Sequence, residues 1–183
     1  GGLHTPQSRG VDPAALPAAR RRRLTPARSP ADARAAQTGQ TSRQVIVLDT
    51  NVLSELMRPA PAEIVVRWVT AQPLTSLYTT SITQAEILHG IMLLPSGRRR
   101  NALETAAEAM FGEDFRGRVL PFGSKEAHPY ARIAAERRRA GRPISNFDAQ
   151  IAAIAHSAGA AIATRNVADY DDCGVDVINP WEA

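Results

Sequence analysis

Apolar residues fall into two periods along this chain. A short continuous run stands at residues 45–48 (Val45, Ile46, Val47, Leu48), and further strand candidates stand at 77–80, 119–120, 161–163 and 175–178. Runs that are apolar without alternation suit parallel strands, because both faces of such a sheet are covered. Between them the apolar residues return every three or four positions. Leu53, Leu56 and Met57 form one stripe, and Ile64, Val65, Trp68 and Val69 another. A third is Ile82, Ala85, Ile87, Leu88, Ile91 and Met92, followed by Ala-rich amphipathic stretches at 98–110 and 127–140. Residues 146–157 are almost all alanine and isoleucine, apart from Asp148, Gln150 and His156. Pro59, Pro73, Pro95, Gly97, Gly141, Pro143 and Gly159 punctuate these segments where helices should stop. Helices alternating with short buried strands predict an α/β fold with three α/β/α layers around a mainly parallel five-stranded sheet.

Charge divides the 183 residues near position 44. Residues 1–44 carry eight arginines against Asp12 and Asp32, a net +6, with five prolines and no Phe, Trp or Tyr. So little apolar surface cannot offset the entropy of ordering, and the composition predicts a disordered Arg/Pro/Ala-rich extension. The whole chain is +4, which leaves residues 45–183, the expected folded domain, at −2. A high pI is therefore no sign of a basic nucleic-acid-binding surface on the domain. The single cysteine, Cys173, excludes an internal disulfide and argues against a zinc knuckle. No apolar run approaches the roughly 20 residues that span a bilayer. The arginines near the N-terminus precede no apolar stretch of a secretory signal, so a cytoplasmic location without membrane contact is expected.

In open parallel sheets ligands bind beyond the carboxyl ends of the strands. Asp49 directly follows the first predicted strand and Asp169 lies a few residues after the fourth. Glu86 falls one turn into the helix after the second strand, and Asp148 in the first turn of the helix leading into the fourth. Converging acids with no matching Lys or Arg raise one another's pKa and call for a cation. Oxygen ligands without Cys or clustered His favour Mg²⁺ or Mn²⁺ over zinc. Each acid also has a purely structural reading. Thr83 with Glu86, and Ser145 with Asp148, have the spacing of a capping box, and Asp49 with Thr50 and Asn51 suits a strand-to-helix turn. Asp169 sits beside Asp171 and Asp172 in what reads as a solvated loop.

The set as a whole resembles a known family. Residues 45–56, with Asp49-Thr50-Asn51 at their centre, look like the opening of PIN-domain ribonucleases, in particular the VapC toxins of toxin–antitoxin pairs and their FitB-like branch. Ile82 to Ile87 with Gly90, Asp148 to Ala155, Ala163 to Val167 with Asp169 and Tyr170, and Val177 to Trp181 extend the match in order to the chain end. The resemblance implies a Mg²⁺- or Mn²⁺-dependent endoribonuclease acting on tRNA or other structured RNA, as the toxin of such a pair. It implies Asp49, Glu86, Asp148 and Asp169 as the acidic quartet, with Asp49 and Asp148 as direct metal ligands. Thr50 and Asn51 would orient Asp49 or a water, and Thr164 and Asn166 would hold the loop beside it. A homodimer and a cognate antitoxin are implied as well. In other PIN branches the fourth carboxylate stands nearer the threonine, where this chain has Asn166. The basic cluster Arg137, Arg138, Arg139 and Arg142 is a candidate track for RNA phosphates, or else a solvated helix end favoured by the dipole.

Two other readings compete. A haloacid-dehalogenase-like phosphatase also places Asp after its first strand, but needs a second Asp where this chain has Asn51, and no catalytic Lys pattern follows. A catalytically degenerate PIN domain, serving as an RNA- or protein-binding module, would be expected to have lost one of the acids, and Asp49, Glu86 and Asp148 are all present.

Overall fold

A computed structural model describes residues 44–183. The disorder expected of residues 1–44 concerns a segment that lies, but for Gln44, outside the described residues. Five strands form one sheet: β1 (Ile46–Leu48), β2 (Leu77–Thr80), β3 (Val119–Leu120), β4 (Ala161–Ala163) and β5 (Val177–Ile178). Their order is β3-β2-β1-β4-β5, and every pairing is parallel. Six α-helices connect them: α1 (Thr50–Leu56), α2 (Glu63–Ala71), α3 (Ser81–Met92), α4 (Arg98–Ala109), α5 (Ser124–Arg139) and α6 (Asn146–Ala158).

Strand pleating explains why such short runs must be wholly apolar. Ile46 and Leu48 enter one core with Val52, Leu53, Ile87, Ile91 and Phe111. Val47, between them, enters a second core with Ile133, Ile151, Ala152 and Cys173. Ile162 and Ala163 divide between the two cores in the same way. Successive side chains point to opposite faces, so helices on both sides are required, and the layers follow.

Helix boundaries are set locally. The Thr80 hydroxyl accepts from Thr83 N at 3.0 Å to start α3, and Ser145 Oγ accepts from Asp148 N at 3.1 Å to start α6. Gly159 ends α6 in the left-handed region at φ 61°, where a side chain would be strained. Helix α3 stops at Met92, short of Pro95, and α4 closes in a wider turn at Met110–Asp114, bringing Phe111 and Phe115 into the first core. Helix α5 begins at Ser124, three residues before the apolar periodicity does, because Glu126 reaches back to accept from Gly123 N at 2.9 Å.

This strand order fixes where the chain reverses. From β1 it winds outward through β2 and β3, then returns to place β4 on the other side of β1. The crevice at the carboxyl ends of β1 and β4 is the point where a doubly wound sheet opens to a ligand. Asp49 leaves β1 and Thr164 leaves β4 at that point, and Asp49 N donates to Ala163 O at 3.0 Å.

Candidate functional site

Asp49 is 5% exposed and both of its carboxylate oxygens are engaged. Oδ1 accepts from Thr50 N at 2.7 Å. Oδ2 accepts from Asn51 Nδ2 at 2.9 Å and from the Thr164 hydroxyl at 2.8 Å. Asn51 Nδ2 also donates to Thr164 Oγ1 at 2.8 Å, and Thr164 Oγ1 accepts from Asn166 N at 3.1 Å. Asn51 Oδ1 accepts from Arg165 N at 3.1 Å. The residues after β1 and after β4 thus form one network, joined across 115 positions of sequence. The Asn51 amide, the Thr164 hydroxyl and the Arg165 backbone N–H do the joining, and none of these groups brings a positive charge.

The other carboxylates face this network. Thr50 Oγ1 donates to Glu86 Oε2 at 2.6 Å, tying α1 to α3. Asp148 accepts from Ser145 Oγ at 2.6 Å, so its capping residue also aims its side chain. Burial pushes the Asp49 carboxyl above the ordinary carboxylate range, against the hydrogen bonds from Thr164 and Thr50, and the charges of Asp148 and Glu86 push it further. None of the ion pairs among the described residues involves Asp49, Glu86 or Asp148. Three acids therefore share one field with no protein cation among them.

Whether this donor set suits a metal can be judged from its chemistry. Among the described residues no three Asp, Glu, His or Cys side chains are gathered closely enough to hold a single ion. Mg²⁺ keeps several of its waters and takes one or two carboxylates, so it does not need such a cage. Oxygen donors with uncompensated charge fit that ion, and Asp49 and Asp148 are the carboxylates that would hold it.

Asp169 stands apart. It is exposed on the short turn Val167–Tyr170 and is not among the charges acting on Asp49. Its neighbour Tyr170, to which sequence reasoning gave no role, is instead the buried group of that turn, at 1% exposure. Its hydroxyl lies 3.5 Å from Asp148 Oδ1. Burial, then the charges of Asp49 and Asp148, hold that hydroxyl far above the usual phenol range, so it stays a neutral donor. The available signal was an aromatic residue inside an otherwise acidic turn.

The arginine track needs correcting. Arg137 is 6% exposed and donates to Asp171 O at 2.7 Å, so it fastens the loop after β4 and offers nothing to a phosphate. Arg142 is paired with Asp172, and more loosely with Asp171 at 3.9 Å. Arg138 and Arg139 remain exposed. Arg137 turns inward because it stands one helical turn beyond Ile133, on the stripe of α5 that faces the core.

Beside the acids lies a cavity of about 680 Å³ between α1, α3 and α4. Thr50 and Glu86 stand at one side of it, with Ile87, Ile91 and Leu103 along its wall and Arg99 at its edge.

Comparison with known proteins identifies a family and a shared fold. The PIN domain family matches residues 46–169. The plasmid stability protein StbB of Pseudomonas syringae pv. tomato is 42% identical over 139 residues, which is 76% of this chain and 100% of that protein. VapC ribonuclease Y4jK of Sinorhizobium fredii is 39% identical over 138 residues, 75% of this chain and 99% of that protein. Among solved structures, FitAB bound to an IR36 DNA fragment superposes with a TM-score of 0.71 at 39% identity, covering 75% of this chain and 96% of that one.

Proposed function

The chain belongs to the PIN-domain family, and on that premise we propose that it is a divalent-metal-dependent endoribonuclease, the toxin of a toxin–antitoxin pair, acting in the cytoplasm on tRNA or other structured RNA. The observation that carries the reading is the acidic corner itself. Buried Asp49 shares a field with Asp148 and Glu86, at the sheet's reversal point, with no protein cation to neutralise them. Carboxylates in that state repel an RNA backbone unless cations intervene. When bound, Mg²⁺ or Mn²⁺ would supply charge neutralisation at the scissile phosphate and a water made acidic enough to attack it.

The protein's own residues supply position. Asp49 and Asp148 are proposed to hold the ion, Glu86 to orient water within reach of it, and Thr50 to fix Glu86. Asn51, Thr164 and Asn166 keep the Asp49 carboxylate in one orientation through the bonds described. Tyr170 donates toward Asp148 without adding charge. Asp169, if it takes part, does so through water from its exposed position. Arg138 and Arg139 are left as candidates for contacts with RNA phosphates. Asn51, serving as a neutral donor to Asp49, occupies the position where a haloacid-dehalogenase-like phosphatase would need its second acid.

A cognate antitoxin and a homodimer are proposed as partners. The apolar cavity between α1, α3 and α4, with Glu86 at its side, suits an antitoxin segment that is apolar along its length and ends in a basic side chain. No helix among the described residues is long and apolar enough to cross a membrane.

The test is cleavage of total tRNA by the full chain with Mg²⁺, with Mn²⁺ and with EDTA, beside the Asp49→Asn variant. Metal-dependent cutting that disappears in the variant supports the reading. Cutting that persists in EDTA or in Asp49→Asn overturns it.

A further inference from the structure

A metal held by carboxylates answers the charge of one phosphate, but its neighbours on the RNA strand still meet a domain of net charge −2. Some cation near the site must therefore be uncommitted, and Arg165 meets that description. It is exposed, directly follows Thr164, and is fixed to the network by its backbone N–H, which donates to Asn51 Oδ1 at 3.1 Å. Its guanidinium lies over the ring of Trp181, 5.5 Å from the centroid. That ring is itself anchored, packed against the first core and fixed by Trp181 N donating to Asn179 Oδ1 at 3.1 Å. No ion pair among the described residues uses Arg165.

The arrangement differs from that of the other arginines around it. Arg137 is buried and gives its Nη1 to backbone carbonyls, and Arg142 pairs with aspartates. Contact with an indole face, in contrast, restrains the guanidinium without tying its N–H donors to an oxygen of the chain. A planar fork of N–H groups matches two phosphate oxygens. Because that contact restricts the side chain beforehand, little entropy is lost when a phosphate arrives.

We propose that Arg165, held on Trp181, is a substrate-binding residue that grips an RNA phosphate flanking the scissile one. The proposal rests on the ribonuclease reading given above. It assigns the contact by geometry alone: a fixed, unpaired cation one residue beyond the threonine that binds Asp49.

Steady-state cleavage of total tRNA by the full chain over a series of KCl concentrations tests it, comparing the parent with Arg165→Ala and Arg165→Lys. Arg165→Ala should raise KM about tenfold, the loss expected for one charge-assisted contact, and leave kcat within about twofold. The slope of log(kcat/KM) against log[KCl] should become shallower by about 0.7, the value for one phosphate on a single strand. Arg165→Lys, keeping the charge, should restore the slope. A parent that cuts tRNA while Arg165→Ala leaves the salt slope unchanged overturns the proposal and spares the nuclease reading. A fall in kcat with no change in slope also overturns it, since Arg165 would then act only by shaping the Asn51 corner. A parent that cuts nothing with either metal removes the nuclease reading and this proposal together.

Discussion

Two corners beside β4 hold buried charge, and they handle it in opposite ways. At the Arg137 corner a buried guanidinium lies under the loop after β4 and donates through Nη1 to the carbonyls of Asp171 and Ala168, with its Nε unpartnered, while Arg142 closes onto Asp172 and Asp171. At the Asp49 corner a carboxylate of similar burial is held by an amide, a hydroxyl and a backbone N–H, with two further acids in its field. The first corner is finished within the chain in charge: the carboxylates of Asp171 and Asp172 meet Arg142 beside Arg137. The second is hydrogen-bonded but not neutralised. A fold that bonds both oxygens of Asp49, leaves acceptor capacity on Oδ1 and sets two more acids in its field leaves that charge open to something outside the polypeptide.

Substitutions can break this contrast at either corner. The largest effect is expected at the acidic one. Asp49→Asn should lower tRNA cleavage by at least about 10³-fold, roughly 4 kcal/mol of barrier, and Asp148→Asn by a similar factor. Circular dichroism of both should match the parent. Retained activity would mean that the open charge does no chemistry.

The finished corner should answer in stability. Arg137→Ala strands the Asp171 carbonyl and leaves a void under the loop, so urea unfolding should show a loss of about 2–3 kcal/mol. Cleavage by the molecules that remain folded should change far less than in Asp49→Asn. If the two substitutions exchanged these signatures, the distinction between the corners would be wrong.

A pH series sharpens the point. Because the Asp49 carboxyl is raised in the folded state, mainly by burial, its ionised form opposes folding. That penalty is full at neutral pH and is relieved as pH falls through the raised pKa, above the ordinary value of 3.8. In EDTA, the stability of the parent relative to Asp49→Asn should therefore improve as pH drops below neutral. Mg²⁺ at pH 7 should raise the parent's melting temperature and leave that of Asp49→Asn nearly unchanged. A parent–variant difference that is flat with pH would show that burial of Asp49 costs nothing.

The smallest effect is expected at Arg142. Its side chain is 51% exposed and its partners are exposed as well, so Arg142→Ala should cost well under about 1 kcal/mol. A larger loss in chemical denaturation would mean that the loop after β4 depends on this pair as much as on Arg137.

Much of the scaffold was legible because its causes are local. Residues apolar on both faces of a three-residue strand suit a covered parallel sheet, and Ser145 and Gly159 marked helix ends by short-range chemistry, whereas α3 is capped by Thr80 and not by the Thr83 of the capping-box spacing. The strand read at residues 175–178 shortened to Val177–Ile178, since only that pair meets the β4 register. The arginine run was misread as one unit. Helical phase separates Arg137 from Arg138 by about 100°, enough to bury one and expose the other, and Ile133 four residues earlier carried that information.

The amino-acid sequence by itself determined the strands, the helices, their order and the residue types available for chemistry, because periodicity, capping and turn preferences act over a few positions. Only the tertiary structure decided which of those residues meet. Thr50 reaches Glu86 across 36 positions and Thr164 reaches Asp49 across 115, while Asp169 falls outside and Tyr170 inside. Those meetings follow from the strand order β3-β2-β1-β4-β5, which sets β4 beside β1. That order is chosen by the packing of two cores at once, and no stretch of local pattern records it.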